Sequence, residues 1–235
     1  MFTGFTKETS DFLWELRFNN ERPWFLAHKE QFERCLNRPL RELAGDSFGL
    51  LRRRWPERDF RLHVSRIYRD ARRLFGRGPY KDHLWFSIKS GEIADGGNME
   101  GPMFWFEVGA ADFSWGMGFY GATPAQMAAF RRLIDANPAR FERLAADIEK
   151  SGRFQVEGEE YKRPKGDRGA LINKWYNRRR AGLCRSEDFG GVLLTQALPG
   201  LLAEDFSALM PMYDFFLEFY RAAENGAGDG RRSNA

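Results

Sequence analysis

Residues 104–119 read Phe104-Trp105-Phe106-Glu107-Val108-Gly109-Ala110-Ala111-Asp112-Phe113-Ser114-Trp115-Gly116-Met117-Gly118-Phe119. On either side of Gly109-Ala110-Ala111-Asp112 a large apolar residue occupies every second position: Phe104, Phe106 and Val108, then Phe113, Trp115, Met117 and Phe119. A period of two places such side chains on one face of a strand, whereas a helix face needs a period of about 3.6. A parallel pair of strands requires a crossover of about a dozen residues, so a link this short predicts antiparallel neighbours. The same alternation runs upstream through Phe60, Leu62 and Val64 and through Leu84, Phe86 and Ile88. The middle of the chain is therefore predicted to form an antiparallel sheet.

Outward from the sheet the period becomes helical. Thr6 is placed to cap a first helix bearing Phe12, Leu13 and Leu16 on one face and ending at Phe18-Asn19-Asn20. Pro23 suits the first turn of a second helix, and Pro39 should kink or split the helical stretch beyond it. Thr123-Pro124-Ala125-Gln126 is a capped helix opening, Asn137-Pro138 is another, and the pair predicts a helical hairpin that stops at Ser151-Gly152. Phe154 to Tyr161 alternates around Gly158 and predicts a further β-hairpin, with helix resuming near Leu171. The aromatic-rich stretch from Pro199 to Glu224 predicts long helical packing bent at Pro211. The expectation is an α+β fold in a single domain over 1–224, the sheet packed by N-terminal and C-terminal helices, with 225–235 as a disordered tail.

Composition narrows the class. Hydrophobic residues make up 43% of the 235 and aromatic residues 15%, enough to offset the entropy of ordering the chain. No stretch approaches the roughly 20 apolar residues of a membrane span. The opening Met1-Phe2-Thr3-Gly4-Phe5-Thr6-Lys7-Glu8 lacks the pattern of a secretory signal, so the expected location is the cytoplasm. Cys35 and Cys184 have no CxxC spacing and fit packed thiols better than a disulfide framework or a zinc site. The net charge is only +4 but unevenly spread. From Arg52 to Lys81 eleven Arg and Lys face three acids, whereas Ser186 to Glu224 holds seven acids and Arg221 alone. The first segment should attract anions.

The densest cluster of polar functional groups is Arg66-Ile67-Tyr68-Arg69-Asp70-Ala71-Arg72-Arg73 with Gly78-Pro79-Tyr80-Lys81-Asp82-His83. Strand alternation from Phe60 puts Arg66 and Tyr68 on the core side and Arg69 opposite, which predicts a partly buried Arg66. Two readings stand. Arg66, Tyr68, Arg69, Asp70, Arg73 and Lys81 line a pocket for a phosphate or carboxylate, using the bidentate geometry of guanidinium, with Asp70 as acid or base if the protein is an enzyme. Alternatively these cations pair with Asp59, Asp70, Asp82 or the acidic C-terminal helix. Lys162-Arg163-Pro164-Lys165-Gly166-Asp167-Arg168-Gly169 supplies a second wall through Lys165, or is an ordinary solvated loop; it matches neither the phosphate-loop nor the dinucleotide glycine pattern. Gly116-Met117-Gly118 serves tight packing or a ligand surface.

His63 and His83 fall on two predicted strands that could bring them together, with Asp82 or Glu107 to complete a metal set, but their spacing gives a metal no support, and no cofactor signature, serine elbow or catalytic cysteine motif is present. Arg52-Arg53-Arg54-Trp55 and Lys174-Trp175-Tyr176-Asn177-Arg178-Arg179-Arg180 interleave aromatics with positive charge, as surfaces for nucleic acid or an acidic protein do. Oligomeric state is not legible.

Four stretches in order, Asn19-Asn20-Glu21-Arg22-Pro23-Trp24-Phe25, Arg66-Ile67-Tyr68-Arg69-Asp70-Ala71-Arg72, Gly78-Pro79-Tyr80-Lys81 and Arg163-Pro164-Lys165-Gly166, resemble the uncharacterised proteins grouped as domain of unknown function (DUF) 2461. The resemblance runs from about Phe2 to Tyr220. It implies an α+β domain of about this length and no particular activity or catalytic residue. At Leu74-Phe75-Gly76-Arg77-Gly78 the sequence departs from a more polar, lysine-containing family pattern.

Overall fold

The computed structural model describes residues 1–74, 76–94, 101–119 and 121–232, with Arg73 and 225–232 described by their backbone alone. Ten α-helices and six strands are found among them. The helices are α1 (Lys7–Phe18), α2 (Arg22–Ala27), α3 (Lys29–Phe32), α4 (Arg38–Arg54), α5 (Gly91–Ala94), α6 (Pro124–Ala136), α7 (Pro138–Ser151), α8 (Ala170–Tyr176), α9 (Leu198–Ala208) and α10 (Met210–Arg232). The strands are β1 (Phe60–Val64), β2 (Leu84–Ser90), β3 (Met103–Val108), β4 (Asp112–Gly118), β5 (Gln155–Glu157) and β6 (Gly182–Asp188). They form one six-stranded antiparallel sheet in the order β1-β2-β3-β4-β6-β5. The α+β class and the four strands predicted from alternation are observed; β6 is an addition. Helix continues in α10 as far as Arg232, beyond Glu224 where the sequence placed the end of the domain.

By its internal contacts the chain gathers into two compact units, each assembled from three separate segments. The first comprises 1–88, 105–115 and 186–207. In it α1 and the helices after it bury Phe12, Leu13, Leu16, Leu36, Leu40 and Leu43. The break expected at Pro39 appears as a π-helical turn over Glu33–Asn37 leading into α4. A proline has no N–H to give the carbonyl four residues before it, and that carbonyl, of Cys35, accepts the Thr9 hydroxyl at 2.7 Å. Burial pushes the Cys35 thiol up to about 12. The α9 helix closes this unit, its buried Asp205 accepting the Trp115 indole N–H at 2.9 Å.

The second unit comprises 89–104, 116–185 and 208–235. The α6–α7 hairpin forms as predicted: Thr123 and Gln126 make the reciprocal capping box at 3.2 and 2.8 Å, and Asn137 alone separates the helices while its side chain caps α7 at Arg140 N–H, 3.1 Å. Gly152 ends α7 in the left-handed region at φ +62°. Edge-to-face aromatic pairs hold the interior, Phe130 to Phe141 at 5.6 Å and Phe141 to Trp175 at 5.7 Å. The predicted hairpin of Phe154 to Tyr161 does not form. Instead β5 pairs with β6, Val156 opposite Leu183, and Gly158 at φ +125° turns the chain where an added Cβ would lie 1.9 Å from Arg180 O. Gly116 and Gly118 serve packing: a Cβ on Gly116 would meet Leu183 O at 1.8 Å, so their absence of side chains lets β6 approach β4.

Candidate functional site

Three of the four recurring sequence stretches meet in the first unit. Asn20, just beyond α1, spans the backbone of Tyr80: its Nδ2 donates to Tyr80 O at 2.9 Å and its Oδ1 accepts Tyr80 N–H at 2.9 Å. The side-chain amide thereby reproduces the paired bonds of a strand neighbour. Gly78 belongs to the same contact, because a Cβ there would fall 2.3 Å from Asn20 Oδ1 and 2.4 Å from Asn20 O. Residues 67–69 and 79–81 run antiparallel, with Lys81 N–H to Ile67 O and Arg69 N–H to Pro79 O both at 2.8 Å. Phe25 of α2 stacks on Tyr80 at 4.1 Å and meets Tyr68 edge-on at 6.3 Å.

On this frame Arg69 is structural. Its side chain, 13% exposed, binds Asp82 Oδ1 through Nη2 at 2.7 Å and Tyr80 O through Nε at 2.7 Å. Burial acts to raise the Asp82 carboxyl, but a hydrogen bond from its own backbone, then His83 and Arg69, outweigh it and hold the group below the usual carboxylate range. Asp70 turns to Arg72, accepting its backbone N–H and Nε at 3.0 Å and its Nη2 at 2.8 Å.

Arg66 and Tyr68 are exposed, contrary to the alternation carried on from Phe60; Ser65 and Ile67 are buried instead. The strand ends at Val64, and Ser65 supplies the reason. Its N–H bonds Trp85 O at 2.8 Å, but Trp85 N–H is answered by Ser65 Oγ at 3.0 Å. The chain changes phase by one residue, and a one-residue slip exchanges the two faces of a strand. Among the described residues no hydrogen bond or ion pair engages the Arg66 side chain. Lys81 Nζ donates to Arg66 O at 2.6 Å and lies 6.0 Å from the Trp85 ring centre. Burial, then the charges of Arg69 and Arg66, lower the Lys81 pKa. Arg66, Arg69 and Lys81 are thus brought together, with Asp82 as the carboxylate of Arg69, and Tyr68 lies on the same short segment. The side chain of Arg73 falls outside the described residues.

His83 lies between two acids, Nδ1 at 3.2 Å from Asp82 Oδ1 and Nε2 at 3.9 Å from Glu107 Oε2, and burial raises the Glu107 carboxyl. The His63 ring packs tilted against Trp85, 5.3 Å between centres. Among the described residues no three of these donor types are grouped to hold a metal.

Lys165 belongs to the second unit. Its backbone N–H bonds Asn177 Oδ1 at 2.7 Å, and its ammonium lies 4.6 Å from the Tyr161 ring centre, a ring that Arg131 also faces at 5.5 Å. The loop around it is laced to α8 and the residue after it, Asn173 Oδ1 accepting Arg168 N–H at 2.9 Å and Asn177 Nδ2 donating to Gly166 O at 3.1 Å, and to α6, where Arg168 binds Asp135 at 2.7 Å. Arg178, expected on an exposed basic surface, is 16% exposed and bonds Lys174 O at 2.6 Å and Gly158 O. Trp175 and Tyr176 beside it are buried. Asn20, Gly78 and Ser65 were not singled out as site-forming by composition or periodicity; only the recurrence of Asn20 and Gly78 in the quoted stretches marked them.

Fold and site together define an α+β protein in which a loop–strand junction, clamped by one asparagine, presents arginine, lysine and tyrosine side chains. The chain belongs to the DUF2461 family of conserved hypothetical proteins, whose model matches residues 8–215. No curated protein matches it. Among the described residues no helix is long and apolar enough to cross a membrane.

Proposed function

We propose that the protein binds a small phosphate- or carboxylate-bearing molecule against Arg66, Tyr68 and Lys81. The observation that carries this reading is geometric: the Arg66 side chain is exposed and, among the described residues, has no hydrogen bond or ion pair, and Lys81 Nζ lies 2.6 Å from the Arg66 carbonyl. Burial and the charges of Arg69 and Arg66 lower the Lys81 pKa, a repulsion that an arriving anion would relieve. Arg66 offers an exposed planar fork suited to a carboxylate or phosphate, and Tyr68, two residues on, is 58% exposed. Arg69 and Asp82 hold the frame, while Asp70 is engaged by Arg72. The alternative, nucleic acid or an acidic protein bound through Arg52 and Arg178, has weaker support, because Trp175 and Tyr176 are not available to stack on a base.

The test is thermal unfolding of the full chain with inorganic phosphate, citrate and short oligonucleotides. A ligand at about 100 times its Kd stabilises the folded state by roughly 2.7 kcal/mol, a measurable rise in Tm. A rise with phosphate or citrate that disappears in Arg66→Ala supports the reading. No rise with either, or an undiminished rise in that variant, defeats it, and a rise with oligonucleotides alone favours the alternative.

A further inference from the structure

We propose that the cavity between the last turn of α4 and the start of β1 binds a small phosphate monoester with an aromatic or apolar body, at a place separate from the Arg66 surface. The cavity has a volume of about 360 Å³, within the roughly 300–1,000 Å³ of small-ligand sites. That is more than ten times the ~30 Å³ share of one water, so a bare phosphate leaves much of it unfilled.

Three arginines line it, Arg52 from α4, Arg58 from the turn and Arg61 from β1, against one acidic residue, Asp59. That carboxylate is bound to Arg61. Arg58 approaches Glu57 at 3.6 Å and lies 5.8 Å from the Trp55 ring centre. Arg52 lies 5.6 Å from the Phe48 ring centre, and among the described residues no ion pair engages it. A ring face holds a guanidinium without consuming its N–H donors, so the fork of Arg52 remains available to phosphate oxygens. A plainer reading is that the last turn of α4, Arg52-Arg53-Arg54, merely answers the helix dipole. That dipole presents only about half an elementary charge, and it does not account for Arg58 and Arg61 lining the same cavity from outside the helix. Phe48 and Leu62 supply apolar wall that an inorganic ion would not use.

Calorimetric titration of the full chain with adenosine monophosphate and with inorganic phosphate tests this. In an Arg66→Ala background, which removes the first anion surface, the nucleotide is expected to bind more tightly than phosphate, and about tenfold or more weakly once Arg52→Ala or Arg61→Ala is added. Arg52 and Arg61 are exposed, and circular dichroism of both variants should match wild type. Arg52→Lys, which keeps the charge without the fork, should fall between. Absence of nucleotide binding, equal affinity for both probes, or binding that survives Arg52→Ala overturns the assignment. Loss in Arg66→Ala alone also overturns it, and moves the ligand to the first surface.

Discussion

Asn20 does with one side chain what a strand does with a backbone, and its replacement should be costly. In Asn20→Ala the N–H and C=O of Tyr80 lose these partners, and an unanswered part-buried polar group costs about 1–3 kcal/mol. Urea unfolding should show a loss of that size. Asp82 makes a pH-dependent contribution. Its folded-state pKa is depressed, so the stabilisation is complete above the ordinary aspartate value of about 3.9 and is lost as pH falls below it through the folded value. Asp82→Asn should therefore be less stable than wild type at pH 7, and the difference should shrink in urea titrations repeated at progressively lower pH. The residue types of this site were legible in the sequence because Arg, Lys and Asp crowd together there. Their directions were not: one serine side chain in place of a backbone carbonyl turned Arg66 from the predicted interior to the surface, and no period reports such a substitution.

At the scale of elements, local signals proved reliable where the chemistry is local. The Thr123 capping box, the single-residue joint at Asn137 and the helix break before Pro211 each depend on residues within one turn, and each is present. The failed hairpin at Gly158 and the unforeseen β6 are of another kind. Both depend on β5 finding a partner that lies beyond α8 in sequence, and short alternating runs do not name their partners. Pro39 joins the two cases. Its effect on the helix is local, but the orphaned Cys35 carbonyl is answered from α1 by Thr9, 26 residues away. Thr9→Val keeps the shape and removes the donor in a fully buried place. It should destabilise the protein by about 1–3 kcal/mol in urea unfolding, while Thr9→Ser should lose less.

For the whole molecule the segment order matters more than any one element. The first unit needs 186–207 to complete it, through Asp205 on Trp115, Ser207 on Trp55 and the Leu193 carbonyl on Phe5 N–H. A chain ending at residue 115 retains most of that unit's sequence yet none of these bonds. It should fail to give a cooperative unfolding transition by circular dichroism, and adding 116–235 as a separate chain should restore one only if the two fragments associate. Periodicity placed the fold class correctly, but this interleaving of segments depends on long-range pairing and was invisible to it.

The burial of both cysteines has a practical corollary. Alkylating reagents attack the thiolate, so a folded chain whose thiols are buried, one of them pushed up to about 12, is quiet toward maleimides at neutral pH. A cysteine introduced at Leu26, 56% exposed and next to Phe25, would then be the reactive thiol of the folded protein. A fluorophore attached there needs no prior removal of native cysteines, and turns α2, whose Phe25 stacks on Tyr80, into its own optical gauge of changes at that helix.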